Sequence, residues 1–172
     1  MRFDNLVVLG LGSNLGNSAT VLADACTRLA GFARGAVLRS SCFRTSPVDC
    51  PPGSASFLNA VVALEPRFGL TPERLLYRLK SLERQFGREQ NPVRHAPREL
   101  DIDLLLFGDQ RVASERLVLP HPRAVERRFV LAPLVQILPE LVWPDTGRTV
   151  AKLLDELHGD ERVERLALAG WP

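Results

Sequence analysis

Two carboxylates, Asp101 and Asp103, stand in PRELDIDLLLFGD, residues 97 to 109, among the most apolar segments of the chain. On a strand, successive side chains point to opposite faces. Both carboxylates therefore share one face, roughly 6 to 7 Å apart, while Ile102 and Leu104 pack behind them. Such a face is a poor place for uncompensated negative charge. The pattern reads in two ways: a structural cluster bridged to Arg94 and Arg98 just upstream, or a pair of ligands for a hard cation. Mg²⁺ takes oxygen ligands and is typically held by one or two carboxylates plus substrate phosphates.

Arg88, Arg94 and Arg98 lie in the stretch entering that strand, with Arg116 and His121 a short distance beyond it. Metal beside arginine is phosphate chemistry, because phosphoryl transfer asks mainly for in-line positioning and neutralisation of charge on phosphate oxygens. A solvated loop would also be rich in arginine, so spacing alone leaves both readings open. GLGSNLG, with Gly10, Gly12 and Gly16, resembles a dinucleotide fingerprint but has one residue too many before its last glycine. The next strand also lacks the acidic residue that fingerprint requires. It is expected to be a strand-to-helix turn whose Asn14 reaches toward the carboxylates.

The elements that must position these residues follow from periodicity. NLVVLGLGS reads as a buried strand, and NSATVLADACTRLAGF as a helix with Val21, Leu22, Ala25, Leu29 and Phe32 on one face. AVLRSSCFRTSPV and SFLNAVVALEP are strand-like runs separated by the loop DCPPGSA. Thr71 followed by Pro72 and Glu73 starts a helix with Leu75, Leu79, Leu82 and Phe86 on its apolar face and Gly87 at its end. REQNPVRHAPR is a basic loop, and ELDIDLLLFG is the next strand. The order βαββαβ is the ferredoxin-like plan, an α+β fold with two helices on one face of an antiparallel four-stranded sheet. A C-terminal elaboration should follow: one or two helices in HPRAVERRFVLAPLVQIL, a loop or edge strand in ELVWPDTG, a helix in TVAKLLDEL and a short strand in RVERLAL.

Residues 1–172 are read as one domain, long enough to bury a core without disulfides. A net charge of +2 is too small to imply nucleic acid or an anionic membrane as partner, although Lys80 and Lys152 are the only lysines among 22 basic residues, and guanidinium suits bidentate phosphate binding. Cys26, Cys42 and Cys50 lack metal-site or dithiol spacing and read as reduced, packed thiols, which fits a cytoplasmic protein. The apolar run from Leu6 to Gly12 is too short for a signal core or a membrane span.

Taken together, GLGSNLGN, FLNAVVALE, LERQFGR, HAPRELDIDLLLFGD and LPHPRAVERRFVLAPL resemble the 6-hydroxymethyl-7,8-dihydropterin pyrophosphokinase family of folate biosynthesis, in that family's order across about residues 6 to 145. The resemblance implies a ferredoxin-like fold and transfer of the β,γ-pyrophosphoryl group of ATP to the pterin hydroxymethyl oxygen, releasing AMP. It implies that Asp101 and Asp103 bind two Mg²⁺ ions together with ATP. It places Lys80, Glu83, Arg98, Leu104, Arg116, His121 and Arg127 on the nucleotide, with Arg88 and Arg98 assisting transfer. On the pterin side it places Phe57 and Phe129 against the ring, Asn59 on its edge, and Thr45, Val48 and His95 as further contacts. The sequence departs from the family pattern at Gln90, where many members have arginine, at His95, where some have tryptophan, and at Lys80, where glutamine is expected.

The implied partners are ATP and the pterin, with no nucleic acid, no membrane and a monomeric chain. Two rivals share the plan. A nucleic-acid-binding module would need exposed aromatics on central strands, but aromatics are 6% of residues and the acidic strand would repel phosphates. A small-alcohol kinase releasing ADP could use the same carboxylates and arginines, and only Phe57, Asn59 and Phe129 argue against it.

Overall fold

The computed structural model describes residues 5–47, 55–87, 97–168 and Trp171. Its centre is an antiparallel sheet in the order β5 (Asp101–Phe107), β1 (Val7–Ser13), β4 (Phe57–Pro66), β3 (Cys42–Thr45) and β8 (Val163–Leu166), with β2 (Ala33–Arg39) also paired to β4. This is the ferredoxin-like strand order. The predicted second strand is divided: β2 pairs with the C-terminal part of β4 and β3 with its N-terminal part. Ser40 and Ser41 form the corner between them. There the Ser40 hydroxyl accepts from Val61 N at 2.9 Å, and Ser40 N donates to Val61 O at 2.9 Å, so the kink leaves β4 satisfied.

Helices α1 (Ser18–Leu29) and α2 (Pro72–Gln85) cover one face of the sheet. Each begins where a side-chain oxygen can take an orphan amide: Asn17 Oδ1 accepts from Thr20 N, and Thr71 Oγ1 accepts from Arg74 N, with Pro72 at the first helical position. Their apolar stripes, Leu22, Ala25 and Leu29 with Leu75, Leu79 and Leu82, pack on Val7, Leu9, Leu11, Ile102 and Leu104.

The predicted elaboration covers the opposite face. Helices α3 (Arg128–Ile137) and α4 (Val150–Glu156) and Trp143 bury Leu6, Val8, Val61, Ala63, Leu105 and Leu106. The segment read as one or two helices resolves into a short 3-10 turn, Ala124–Glu126, followed by α3. A two-residue hairpin pair not anticipated from the sequence, β6 (Val112–Ala113) and β7 (Val118–Leu119), lies after β5.

The sheet is thus covered on both faces, and β1 is buried along nearly its whole length. Cys26 and Cys42 are free and fully buried, which pushes their thiols up to about 11 and about 12 and leaves them unreactive. Cys50 lies outside the described residues. Among the described residues no helix is long and apolar enough to cross a membrane.

Candidate active site

The site begins with the register of β5 on β1. Asp101 pairs with Gly12 and Asp103 with Gly10, so two positions without side chains stand beside the two carboxylates. Between Val8 and Leu9 the register shifts by one residue of β5, a bulge that puts both Leu105 and Leu106 into the core under α3 and α4. Up to the bulge β5 alternates cleanly: Ile102 and Leu104 enter the α1–α2 core, and Asp101 and Asp103 take the other face. That is the arrangement expected from spacing.

Glu83 on α2 holds this strand from behind. Its carboxylate is fully buried, and Oε1 accepts from Ile102 N at 2.8 Å and from Lys80 Nζ at 2.8 Å. Burial pushes the carboxyl above its ordinary range, opposed by Lys80 and the Ile102 amide. Lys80 Nζ also lies 3.4 Å from Ile102 O. Arg98 is clamped to the turn after β1, because Asn14 Oδ1 accepts from Arg98 N at 2.8 Å while Asn14 N donates to Arg98 O at 3.1 Å. The Arg98 guanidinium in turn donates to Asp101 Oδ2 at 2.8 Å.

Asp103 is held above the ordinary carboxylate range first by desolvation and then by the adjacent Asp101, while His121, Lys80 and Arg127 pull it down. His121 is pushed below its usual value by burial and by Arg127 and Arg123, against the pull of Asp103. Its Nδ1 accepts from Arg123 N at 3.3 Å, which places the proton of the neutral ring on Nε2. The Arg127 guanidinium sits 5.3 Å from the Phe129 ring centre. Asp101, Asp103, Arg98, Lys80, His121 and Arg127 therefore form one electrostatic cluster.

Across the glycine row, β4 presents Asn59 opposite Gly12, and a Cβ built on Gly12 would stand 3.0 Å from Asn59 Oδ1. The Asn59 amide donates to Thr45 Oγ1 on β3 at 2.7 Å, and both residues are buried. Phe57 is on the same face of β4, and its ring edge reaches 4.0 Å from that built Cβ. Phe129 opens α3, where its amide donates to Glu161 Oε2 at 3.2 Å. The result is a floor with carboxylates and cations at one end and an amide, a hydroxyl and a phenyl ring at the other.

Other expected residues stand apart. Leu104 is buried in the α1–α2 core, which closes its side chain to a ligand. Arg116 is exposed in the β6–β7 turn, without a hydrogen bond or ion pair to the cluster. Val48, Arg88, Gln90, Arg94 and His95 lie outside the described residues. Sequence reasoning missed Gly10 and Gly12 as part of the floor, although their period of two, in step with the aspartates, carried that signal. It also missed Glu161, which no motif marks.

The model of the family 7,8-dihydro-6-hydroxymethylpterin-pyrophosphokinase (HPPK) matches residues 8–139. The chain belongs to the HPPK family. It is 44% identical over 159 residues to the 2-amino-4-hydroxy-6-hydroxymethyldihydropteridine pyrophosphokinase of Methylorubrum extorquens, covering 91% of this chain and 97% of that one. The Bacillus subtilis protein of the same name is 39% identical, with 80% and 81% covered. A mitochondrial folate synthesis bifunctional protein of Arabidopsis thaliana is 43% identical across 81% of this chain, which spans only 24% of that longer protein. A Plasmodium falciparum HPPK-DHPS crystal structure shares the fold, with a TM-score of 0.69 at 16% identity over 88% of this chain and 43% of that one. The HPPK match includes both carboxylates, the glycine row, Asn59 and Phe129, and the Asp101–Asp103 strand lies inside it.

Proposed function

We propose that this chain is an HPPK enzyme transferring the β,γ-pyrophosphoryl group of ATP to the hydroxymethyl group of 6-hydroxymethyl-7,8-dihydropterin in folate biosynthesis. The observation that carries the reading is the glycine-floored groove, with the Asp101–Asp103 pair at one end and the Asn59–Thr45 pair with Phe57 at the other. Such a groove suits a phosphate chain lying beside a flat, hydrogen-bonding heterocycle. In the reaction the alcohol oxygen bonds to the β-phosphorus and the α,β-bridging bond breaks. AMP leaves with that bridging oxygen, and the alcohol proton is lost to solvent.

Asp101 and Asp103 fit divalent magnesium, as hard oxygen donors on one face; desolvation first and Asp101 second raise Asp103, and a dication would relieve both. Bound there with ATP, two such ions would neutralise phosphate oxygens and orient the transferred group. Around them Arg98 holds Asp101 in place, and neutral His121 offers an Nε2–H donor to a phosphate oxygen. Arg127 and Lys80 add positive charge. Arg116 and the Leu104 main chain complete the nucleotide contacts, and Arg88 assists transfer. On the other side Asn59, oriented by Thr45, reads the pterin edge while Phe57 and Phe129 enclose the ring, with Val48 and His95 as further contacts. The nucleic-acid rival loses its basis because β1 and β4 present two glycines, Asn59 and the one ring of Phe57 at the groove rather than a row of aromatics.

A product assay tests the reading. Protein, Mg·ATP and the reduced hydroxymethylpterin should yield AMP, resolved from ADP by chromatography, only when the pterin is present. ADP as the product would replace this reading with that of an ordinary kinase.

A further inference from the structure

At the far end of α3 and β3 from the groove, the Ser40–Ser41 corner, the end of α3 and the strand β8 with Trp171 border an open cleft of about 360 Å³. Phe129 lies in the first turn of α3 and Gln136 in its last, so the cleft lies about 10 Å along the helix from the pterin side of the groove. Its size is that of a small-molecule pocket.

Three features define what the cleft would hold. First, Arg39 lines it with no hydrogen bond or ion pair among the described residues, and its Nε is buried without an acceptor. A buried donor without a partner is uncommon in folded proteins and calls for an acceptor. Second, positive charge there meets no opposing carboxylate among the described residues. Arg165 donates Nε to Ser41 Oγ at 2.9 Å and meets no carboxylate among the described residues, while the neighbouring Glu164 is engaged by Arg44. Ser41 Oγ also accepts from Gln136 Nε2 at 3.0 Å, so its own proton is left to donate. Third, Leu166, Leu168 and Trp171 form an apolar side, with the indole fixed by a 2.8 Å bond from its Nε1 to Ser40 O.

We infer that this cleft is a second ligand site, for a small organic monoanion whose carboxylate meets Arg39 and the Ser41 hydroxyl and whose apolar body lies against Trp171 and Leu168. A guanidinium with a free hydroxyl supplies the donors that a carboxylate accepts. The apolar wall excludes a bare inorganic anion as the best fit.

Benzoate is the probe. The chain has two tryptophans, Trp143 in the α3–α4 core and Trp171 at the cleft, so a ¹⁵N-labelled sample shows two indole signals, assigned with Trp171→Phe. Benzoate should shift the Trp171 indole signal saturably and leave that of Trp143 in place. Arg39→Gln should weaken the binding by about tenfold and Ser41→Ala by a smaller factor. The dispersion of the same spectra reports whether each variant folds, and the serine variant carries the test if the arginine variant does not. Absence of a saturable shift, or equal affinity in the wild type and a folded variant, would overturn the site. Inorganic phosphate binding as well as benzoate would overturn the apolar half of the assignment.

Discussion

Asp103 carries a conflict that the free protein does not resolve. Its carboxyl is held above the value it has in an unfolded chain, chiefly by desolvation and then by Asp101. A group raised in this way contributes stability that is complete below its unfolded pKa and is lost as pH rises through the folded one. Asp103→Asn should therefore melt higher than the wild type in magnesium-free buffer at neutral pH, and the gain should vanish near about pH 3. The same variant should lower AMP formation by about a thousandfold. A variant that melts lower and keeps its activity would sink the metal-ligand assignment. Gly12 offers a second test at this scale. A Cβ there would stand 3.0 Å from Asn59 Oδ1, whereas one on Gly10 meets the Leu105 side chain at 3.4 Å. Gly12→Ala should raise the pterin KM by about tenfold with a smaller change in kcat, and Gly10→Ala should do much less. The shared face of the aspartates was legible because a period of two survives burial. The glycines were not, because a residue without a side chain shows its purpose only through the residue across from it.

Among the elements, β5 is fixed by a carboxylate from α2 as well as by its neighbour β1. Glu83→Ala would leave the Ile102 amide without its acceptor and Lys80 without its 2.8 Å partner. The expected loss is about 1–3 kcal/mol in urea unfolding, with Glu83→Gln losing less because it keeps an acceptor. Equal stability of Glu83→Ala and the wild type would show that the carboxylate is dispensable to the strand. Helix α2 was readable from Thr71, Pro72 and its leucines, but not the inward direction of Glu83, since a charged residue on a helix is ordinarily taken for the solvated side. The split between β2 and β3 escaped for a different reason. Ser40 replaces a ladder contact with its hydroxyl, and a serine inside a β-like run carries no mark of that. The bulge at Leu105 was equally silent, because in three consecutive leucines any one can be the extra residue.

For the molecule as a whole, coverage of both sheet faces decides how stability and function divide. Trp143 is 1% exposed in the core under α3 and α4, on the side where Phe129 also sits. Trp143→Ala should cost about 3–5 kcal/mol, measured by denaturant unfolding, while kcat per folded molecule changes little. A folded variant with kcat lost would mean that this core also sets the position of Phe129. The βαββαβ order came directly from alternating periodicities, and the C-terminal helices came with it. What the pattern could not show is that these helices close the second face, since an apolar helix stripe does not name the surface it will meet. The link from Glu161 to the Phe129 amide is of the same kind, a long-range contact made by a residue with no local signature.

The row of Gly10 and Gly12 has one more consequence. A compound resting on that part of the floor touches main-chain atoms, which no point substitution can delete. Resistance arising there would have to add atoms. At Gly12 the first added carbon already crowds Asn59, the group proposed to read the pterin edge. An inhibitor seated on these two residues would leave an evolving population little room to exclude it without also impairing its own substrate.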